Sequence, residues 1–328
     1  MADKKKVYSG VRATGRLHLG NYLGAVKGMI ALQDGYDCIF SVVDLHAITT
    51  PYDPRTLKQS TRDVILDFLG AGLDPAKCLL EVQSKVPEHM ELAYYLSTIF
   101  PVSKLEDLPT YKDKKALHPK YVNLGLLYYP VLMAADVLLY KGELVPVGID
   151  QEPHLEVMRE VARKFNGMFG KTFPEPQRFA TEGEYVPSLM GPGKMSKSVT
   201  GSYILLTDDL DTIRRRLAGA PTDSGKAGGD VPTEGGVANL FVLMSLFGGR
   251  QMYQKFEQDY KEKKIRYSEM KDTLSELIYQ ELKPIQEKRK GFEENPELVD
   301  GIIQEGSEAC RKRAQETIRE VKEKMGLY

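Results

Sequence analysis

Lys6-Val7-Tyr8-Ser9-Gly10-Val11-Arg12-Ala13-Thr14-Gly15-Arg16-Leu17-His18-Leu19-Gly20-Asn21 begins apolar and ends on a histidine–glycine turn. The apolar start, 6–9, reads as a buried strand, and the turn opens a helical pattern over 19–32. Glycine lets a backbone approach a phosphate closely, and a helix N-terminus attracts anions. His18 and Asn21 add side-chain donors aimed at the same place. Alone, His-x-Gly is a weak signal, and His18 reads equally as an ordinary surface or core histidine. Its place between a strand and a helix favours the phosphate reading.

Working outward, three more apolar runs read as buried strands: 38–44, 78–83 and 143–148. Between the second and third, 54–69 carries Leu57, Val64, Ile65, Phe68 and Leu69 at helical spacing. Strands alternating with helices predict an α/β fold, a Rossmann-type parallel sheet covered on both faces. Ligands then bind beyond the carboxyl ends of the strands, near the point where strand order reverses. Residues 86–141 are mostly helical and interrupt the alternation, so they read as a helical insertion lying over that site.

After Leu206 the character changes. Residues 209–217 start acidic and end in Arg214-Arg215-Arg216, in the sense that complements a helix dipole. Residues 221–236 are a loop by composition. From Val237 the chain reads as almost wholly helical, with a capping box at Thr273 and Glu276 and a kink at Pro284. The expected organisation is a catalytic domain over 1–205, then a helical region over 206–328. The latter divides into a small domain to about 295 and a terminal helical segment.

The 328 residues carry 45 Lys and Arg against 46 Asp and Glu, with five His. This balance lacks a bulk basic signature for nucleic acid, so any RNA partner is met by local patches. Basic clusters lie at 261–266, 288–290 and 311–313, and they read either as solvated helix faces or as phosphate contacts. Cys38, Cys78 and Cys310 show no metal or redox spacing, which predicts a reduced, cytoplasmic protein. Residues 1–6 are polar and show no signal-peptide pattern. No apolar stretch approaches the ~18–20 residues of a membrane span. Trp is absent.

A second motif, Lys194-Met195-Ser196-Lys197-Ser198, lies in a glycine-flanked loop over 191–202. It puts two ammonium groups three residues apart, an arrangement suited to a polyphosphate whose charge shifts during reaction. Attack on an α-phosphate moves charge onto the β and γ groups, and catalysis there is mostly positioning and charge neutralisation. Mg²⁺ shares that task. His89, His118 and His154 have no ligand spacing, so the ion is expected on the ATP phosphates rather than on side chains. Asp150, just after the strand at 143–148, reads as an acceptor for a ribose hydroxyl or as the N-cap of the next helix.

These pieces resemble the class I aminoacyl-tRNA synthetases: His18-Leu19-Gly20-Asn21 resembles their HIGH signature, and Lys194–Ser198 matches their KMSKS signature without change. Nearly the whole chain is similar to the bacterial tryptophanyl members. The likeness includes Ser9-Gly10, Val43 through Thr49, Tyr129 through Asp136, Val145 through Gly148 and Asp150-Gln151. It implies ligation of L-tryptophan to tRNA(Trp) through an adenylate formed from ATP, with a homodimer as the working form. It also implies an ATP site of Arg12, His18, Gly20, Asn21, Gly148, Asp150, Lys194, Met195, Ser196 and Lys197. Lys114 corresponds to a family lysine on a mobile loop over the phosphates, and joins Lys194 and Lys197 as catalytic. Ala13 replaces a common Pro, which alters loop stiffness rather than chemistry.

For the amino acid, the resemblance implies a pocket of Tyr8, Val43, His46, Tyr129, Met133, Asp136, Val145, Val147 and Gln151. Indole N–H only donates, so its buried site needs an acceptor, and Asp136 has that role. Tyr129 and Gln151 fall near the substrate amino group. The competing readings are a tyrosyl enzyme of the same architecture, a related coenzyme adenylyltransferase, and a non-catalytic synthetase paralogue. The helical region from 206 is expected to read the anticodon.

Overall fold

The structure, a computed structural model, describes residues 4–180, 185–225 and 228–328. Residues 1–3, whose composition was read above, and Lys226 and Ala227 of the predicted loop lie outside the described residues. A five-stranded sheet is built from β1 (Lys6–Arg12), β2 (Asp37–Val43), β3 (Leu79–Val82), β4 (Leu144–Pro146) and β5 (Gln177–Phe179). Its order is β3-β2-β1-β4-β5, with every pairing parallel. The chain winds outward from β1 through β2 to β3, then returns to β1's other edge as β4. The order therefore reverses between β1 and β4, where α/β sheets open a crevice for ligands.

The first four strands fall on the predicted runs. β5 was missed, because its three residues are exposed or half-buried and carry no apolar run. β1 and β2 stay in register from Lys6 opposite Asp37 to Arg12 opposite Val43. β1 and β4 share one backbone pair, Val7 with Leu144, supplemented by Ser9 Oγ donating to Pro146 O at 3.0 Å. Side chains alternate across the sheet. Val7, Phe40 and Val42 enter one core, and Tyr8 and Ile39 enter the other.

The helical pattern at 19–32 is not one regular helix. It comprises α1 (Leu19–Asn21), a π-helical turn (Tyr22–Val26) and α2 (Lys27–Leu32). Single π-turns of this kind are frequent beside functional sites. Then come α3 (Asp44–Ala47) and α4 (Pro54–Ala71), the latter capped by Asp53 accepting from Arg55 N. The expected insertion is mostly helical, as α5 (Glu88–Ser97), α6 (Val102–Glu106), α7 (Pro109–Leu117) and α8 (Leu124–Leu139). α9 (Glu152–Phe169) leads to β5.

The second half holds α10 (Leu210–Ala218), α11 (Gly235–Lys261), α12 (Tyr267–Glu293) and α13 (Pro296–Met325). One local prediction fails here. The Thr273–Glu276 capping box does not start α12, which begins at Tyr267 because its apolar stripe already starts at Met270. α12 runs unbroken through Pro284, with Leu282 and Ile285 buried on either side where α12 packs along α4. The break falls at Gly249 in α11, at φ 64° and ψ −176°, a conformation open to glycine. α13 packs on β3, and Val82 N of that edge strand donates to Ser307 Oγ at 3.3 Å. An edge strand covered in this way offers no template for another chain. Among the described residues no helix is long and apolar enough to cross a membrane.

Candidate active site

A cleft of about 790 Å³ opens at the carboxyl ends of β1 and β4. Every residue the sequence nominated lines it: Tyr8, Arg12, His18, Gly20, Asn21, Val43, His46, Lys114, Tyr129, Met133, Asp136, Val145, Val147, Gly148, Asp150, Gln151 and Lys194 through Lys197. His118, which ends α7, does not. Two distant loops meet because residues 17–19 pair with 204–206. Leu19 N donates to Ile204 O, and Leu206 N to Leu17 O, each at 2.9 Å.

His18 caps α1. Its Nδ1 accepts from Asn21 N at 3.3 Å, and Asn21 Oδ1 accepts from His18 N at 3.2 Å. Burial, and then the Lys197 charge, lower the His18 pKa to about 4, so the imidazole is neutral. With Nδ1 accepting, the proton resides on Nε2, and His18 presents a donor rather than a cation. A Cβ on Gly20 would lie 2.9 Å from His18 Cε1, so a side chain there would displace the ring. Asp67 anchors the loop from below: its Oδ2 accepts from Leu17 N at 2.6 Å, and its Oδ1 accepts from Arg289 Nε at 2.7 Å.

The lysine loop is folded down onto this turn. Lys197 Nζ donates to Thr14 O at 2.7 Å, Arg16 O at 2.8 Å and Gly15 O at 3.2 Å. Lys194 Nζ donates to Asp150 Oδ1 at 2.7 Å, and Gln151 Nε2 donates to Asp150 Oδ2 at 2.9 Å. Asp150 therefore does not cap α9; its carboxylate faces the loop. Ser202 is fully buried and its Oγ donates to Ser196 O at 2.5 Å. Asn239 of α11 donates to Ser188 O and Gly191 O, both at 2.9 Å, and so clamps the loop's base. Sequence reasoning missed Asn239, since nothing local distinguishes an Asn on a helix.

Lys114 reaches over the cleft from α7, its Nζ 3.8 Å from the centre of the Tyr129 ring. Burial and the Arg12 charge lower its pKa to about 8, and burial does the same for Lys197. Such cations gain partners when an anion arrives. Arg12 Nη2 donates to Thr50 Oγ1 at 3.0 Å. Tyr129 OH donates to Thr110 Oγ1 at 2.8 Å and stands 3.0 Å from His154 Nε2. His154 and Thr110 line the cleft too and were not singled out. An inward histidine on an amphipathic helix was the signal available for His154.

The apolar end is closed by Val43, Met133, Val145 and Val147 around Asp136. Asp136 Oδ2 is 2.9 Å from His46 Nε2, and Oδ1 accepts from Gln83 Nε2 at 2.7 Å. Gln83 is oriented in turn, because its Oε1 accepts from Leu45 N at 3.1 Å. Burial works against the Asp136 charge, but hydrogen bonds from His46 and His89 hold it well below the usual carboxylate range. Among the described residues no group of three or more His, Cys, Asp or Glu could hold a metal ion.

Residues 2–283 match the family model described as class I tRNA synthetases (W and Y). The chain is 43% identical over 328 residues to a tryptophan–tRNA ligase of Caldanaerobacter subterraneus, covering 98% of each. It is 41% identical to that of Helicobacter pylori, covering 99% of each. The crystal structure of tryptophanyl-tRNA synthetase from Campylobacter jejuni, complexed with ADP and tryptophan, superposes with a TM-score of 0.82 at 34% identity. That match covers 98% of this chain and 100% of the other. A tyrosyl-tRNA synthetase from Aeropyrum pernix, at 19% identity and TM-score 0.69, shares the fold. On its two signature loops, its sheet and its full-length likeness, the chain belongs to the class I tRNA synthetases of the tryptophan and tyrosine type.

Proposed function

We propose that the chain ligates L-tryptophan to tRNA(Trp) in two steps. In the first, a tryptophan carboxylate oxygen attacks the α-phosphorus of ATP. The bond to the bridging oxygen breaks, and pyrophosphate leaves with the electron pair. In the second, a ribose hydroxyl at the tRNA terminus attacks the adenylate carbonyl and AMP leaves. No side chain has to form a covalent intermediate, and the protein contributes positioning and charge stabilisation.

His18 Nε2–H, Lys114, Lys194 and Lys197 would surround the phosphates, with Gly148 and Asp150 at the ribose and Met195 and Ser196 beside the adenine. Asp150 and Asp136 are the cleft's carboxylates and both are already paired, so Mg²⁺ fits as an ion carried by ATP. When bound, it shields phosphate charge. Arg12, Tyr129 and Gln151 would hold the amino acid's polar end. The region 206–328 would bind the tRNA anticodon, in a cytoplasmic homodimer.

The observation that carries the reading is Asp136, an acceptor at the apolar end of a cleft whose other end carries the lysines. A carboxylate offers about four lone-pair positions. Gln83 donates to Oδ1 and His46 stands at Oδ2, with His89 Nδ1 2.7 Å from Oδ1 as an ion-pair contact. Acceptor capacity remains, which suits a donor-only indole N–H. A phenol both donates and accepts, and the surrounding Val43, Met133, Val145 and Val147 supply no second polar group. ATP–pyrophosphate exchange with tryptophan, with tyrosine and with neither tests this. Exchange with tryptophan alone is expected. Exchange with tyrosine would reverse the role of Asp136, and none with either would favour a non-catalytic paralogue.

A further inference from the structure

Behind the pocket wall lies a charged pair that the reaction above does not use. Glu81 on β3 and His89 on α5 are fully buried at their side chains, with His89 Nε2 3.1 Å from Glu81 Oε1. The other imidazole nitrogen, Nδ1, is 2.7 Å from Asp136 Oδ1. Tyr140 OH donates to Glu81 Oε2 at 2.6 Å, and Tyr8 OH stands 3.4 Å from Oε1. These groups sit in the core that includes Leu92, Val137 and Cys310.

A neutral imidazole has one N–H and one lone pair. Between two carboxylates it would turn the lone pair toward one of them, so the two short contacts call for an imidazolium, with Nε2 in hydrogen-bond contact with Glu81 and Nδ1 held against Asp136 Oδ1 as an ion pair. Burial opposes that charge, yet Glu81 and Asp136 together push the His89 pKa up to about 10. A buried ion pair is weak evidence for stability, since well-packed apolar residues often serve as well. Here one end of the pair touches the residue that would read the substrate.

We propose that Glu81 and His89 are positioning residues for amino-acid selection: the buried pair holds Asp136 as an oriented carboxylate with its free acceptor position turned to the indole. This rests on Asp136 being the indole acceptor. Glu81 fixes the imidazolium, His89 fixes Oδ1, and Oδ2 is left to His46 and the substrate. The pair touches no substrate atom, so its loss weakens selection for an N–H donor and leaves shape selection intact.

The test uses L-tryptophan and L-benzothienylalanine, an isostere with sulfur in place of the indole N–H. Their Kd values are measured by titration calorimetry on the intact chain, as wild type, His89→Gln and Glu81→Gln. Wild type is expected to prefer tryptophan by more than about 100-fold, because a site built for an N–H rejects the analogue lacking it. His89→Gln is expected to cut that preference by about tenfold, with benzothienylalanine binding changed by less than about twofold. Glu81→Gln is expected to cut it by about threefold, and it carries the test should His89→Gln not fold. Equal losses for both ligands, or an unchanged preference, would overturn the inference. Absence of preference in the wild type would instead overturn the role of Asp136 itself.

Discussion

The two ends of the cleft hold charge in opposite ways. At the phosphate end, Lys194 is exposed and paired with an exposed Asp150, while Lys197 rests on three backbone carbonyls. Under the proposed function, these partners are exchanged for phosphate oxygens. At the Asp136 end, Asp136, His46, His89 and Glu81 are all buried, with hydrogen bonds between His46 and Asp136 and between His89 and Glu81, and an ion pair between His89 and Asp136. A substrate there can only complete the network. Charge that must follow a reaction sits on flexible chains near solvent, and charge that must discriminate is locked by packing.

Replacing both loop lysines separates the two ends most strongly. Lys194→Ala with Lys197→Ala is expected to slow adenylate formation by about 1,000-fold or more, while tryptophan Kd stays within about twofold. Single-turnover kinetics beside equilibrium titration would read this, and an unchanged rate would remove the lysines from the chemistry. Asp136→Asn probes the other end. It should lower kcat/KM for tryptophan by roughly 100-fold with KM for ATP unchanged, since the amide presents a donor where the indole needs an acceptor. A matching rise in the ATP KM would show that the ends are not separate.

The smallest expected effect comes from pH. Lys114 and Lys197 have pKa values lowered to about 8 by burial, and both act as cations. Their protonated forms are present below that pH and are lost as it rises. In the free protein kcat/KM for ATP should therefore fall above pH 8, by about tenfold near pH 9 for each lysine whose charge is required. Bound phosphates favour the charged forms, so kcat at saturating ATP should hold to higher pH. A pH profile of kcat/KM flat to pH 9 would contradict that picture.

The same contrast explains what was readable beforehand. The lysine end of the cleft was legible because its residues lie in short contiguous runs, Leu17 through Asn21 and Lys194 through Ser198. Backbone proximity and mobile cations are local properties that a few consecutive residues encode. Asp136 was nominated by family likeness, and its partners His89, Gln83 and Glu81 were not. They come from α5, the turn after β3 and β3 itself, and each alone reads as an ordinary residue. Asn239, His154 and Asp67 escaped for the same reason.

By itself the sequence determined the alternation of strands and helices, the two signature loops and the absence of a bulk basic composition. These follow from periodicity, glycine placement and composition, which need no knowledge of distant neighbours. Only the tertiary structure decided that α12 runs from Tyr267 through Pro284, that β5 joins the sheet, and that Asp136 is buried against His46, Gln83 and His89. Each depends on what packs against it, because burial makes a partner obligatory for a polar group and holds a helix through a residue that would otherwise break it.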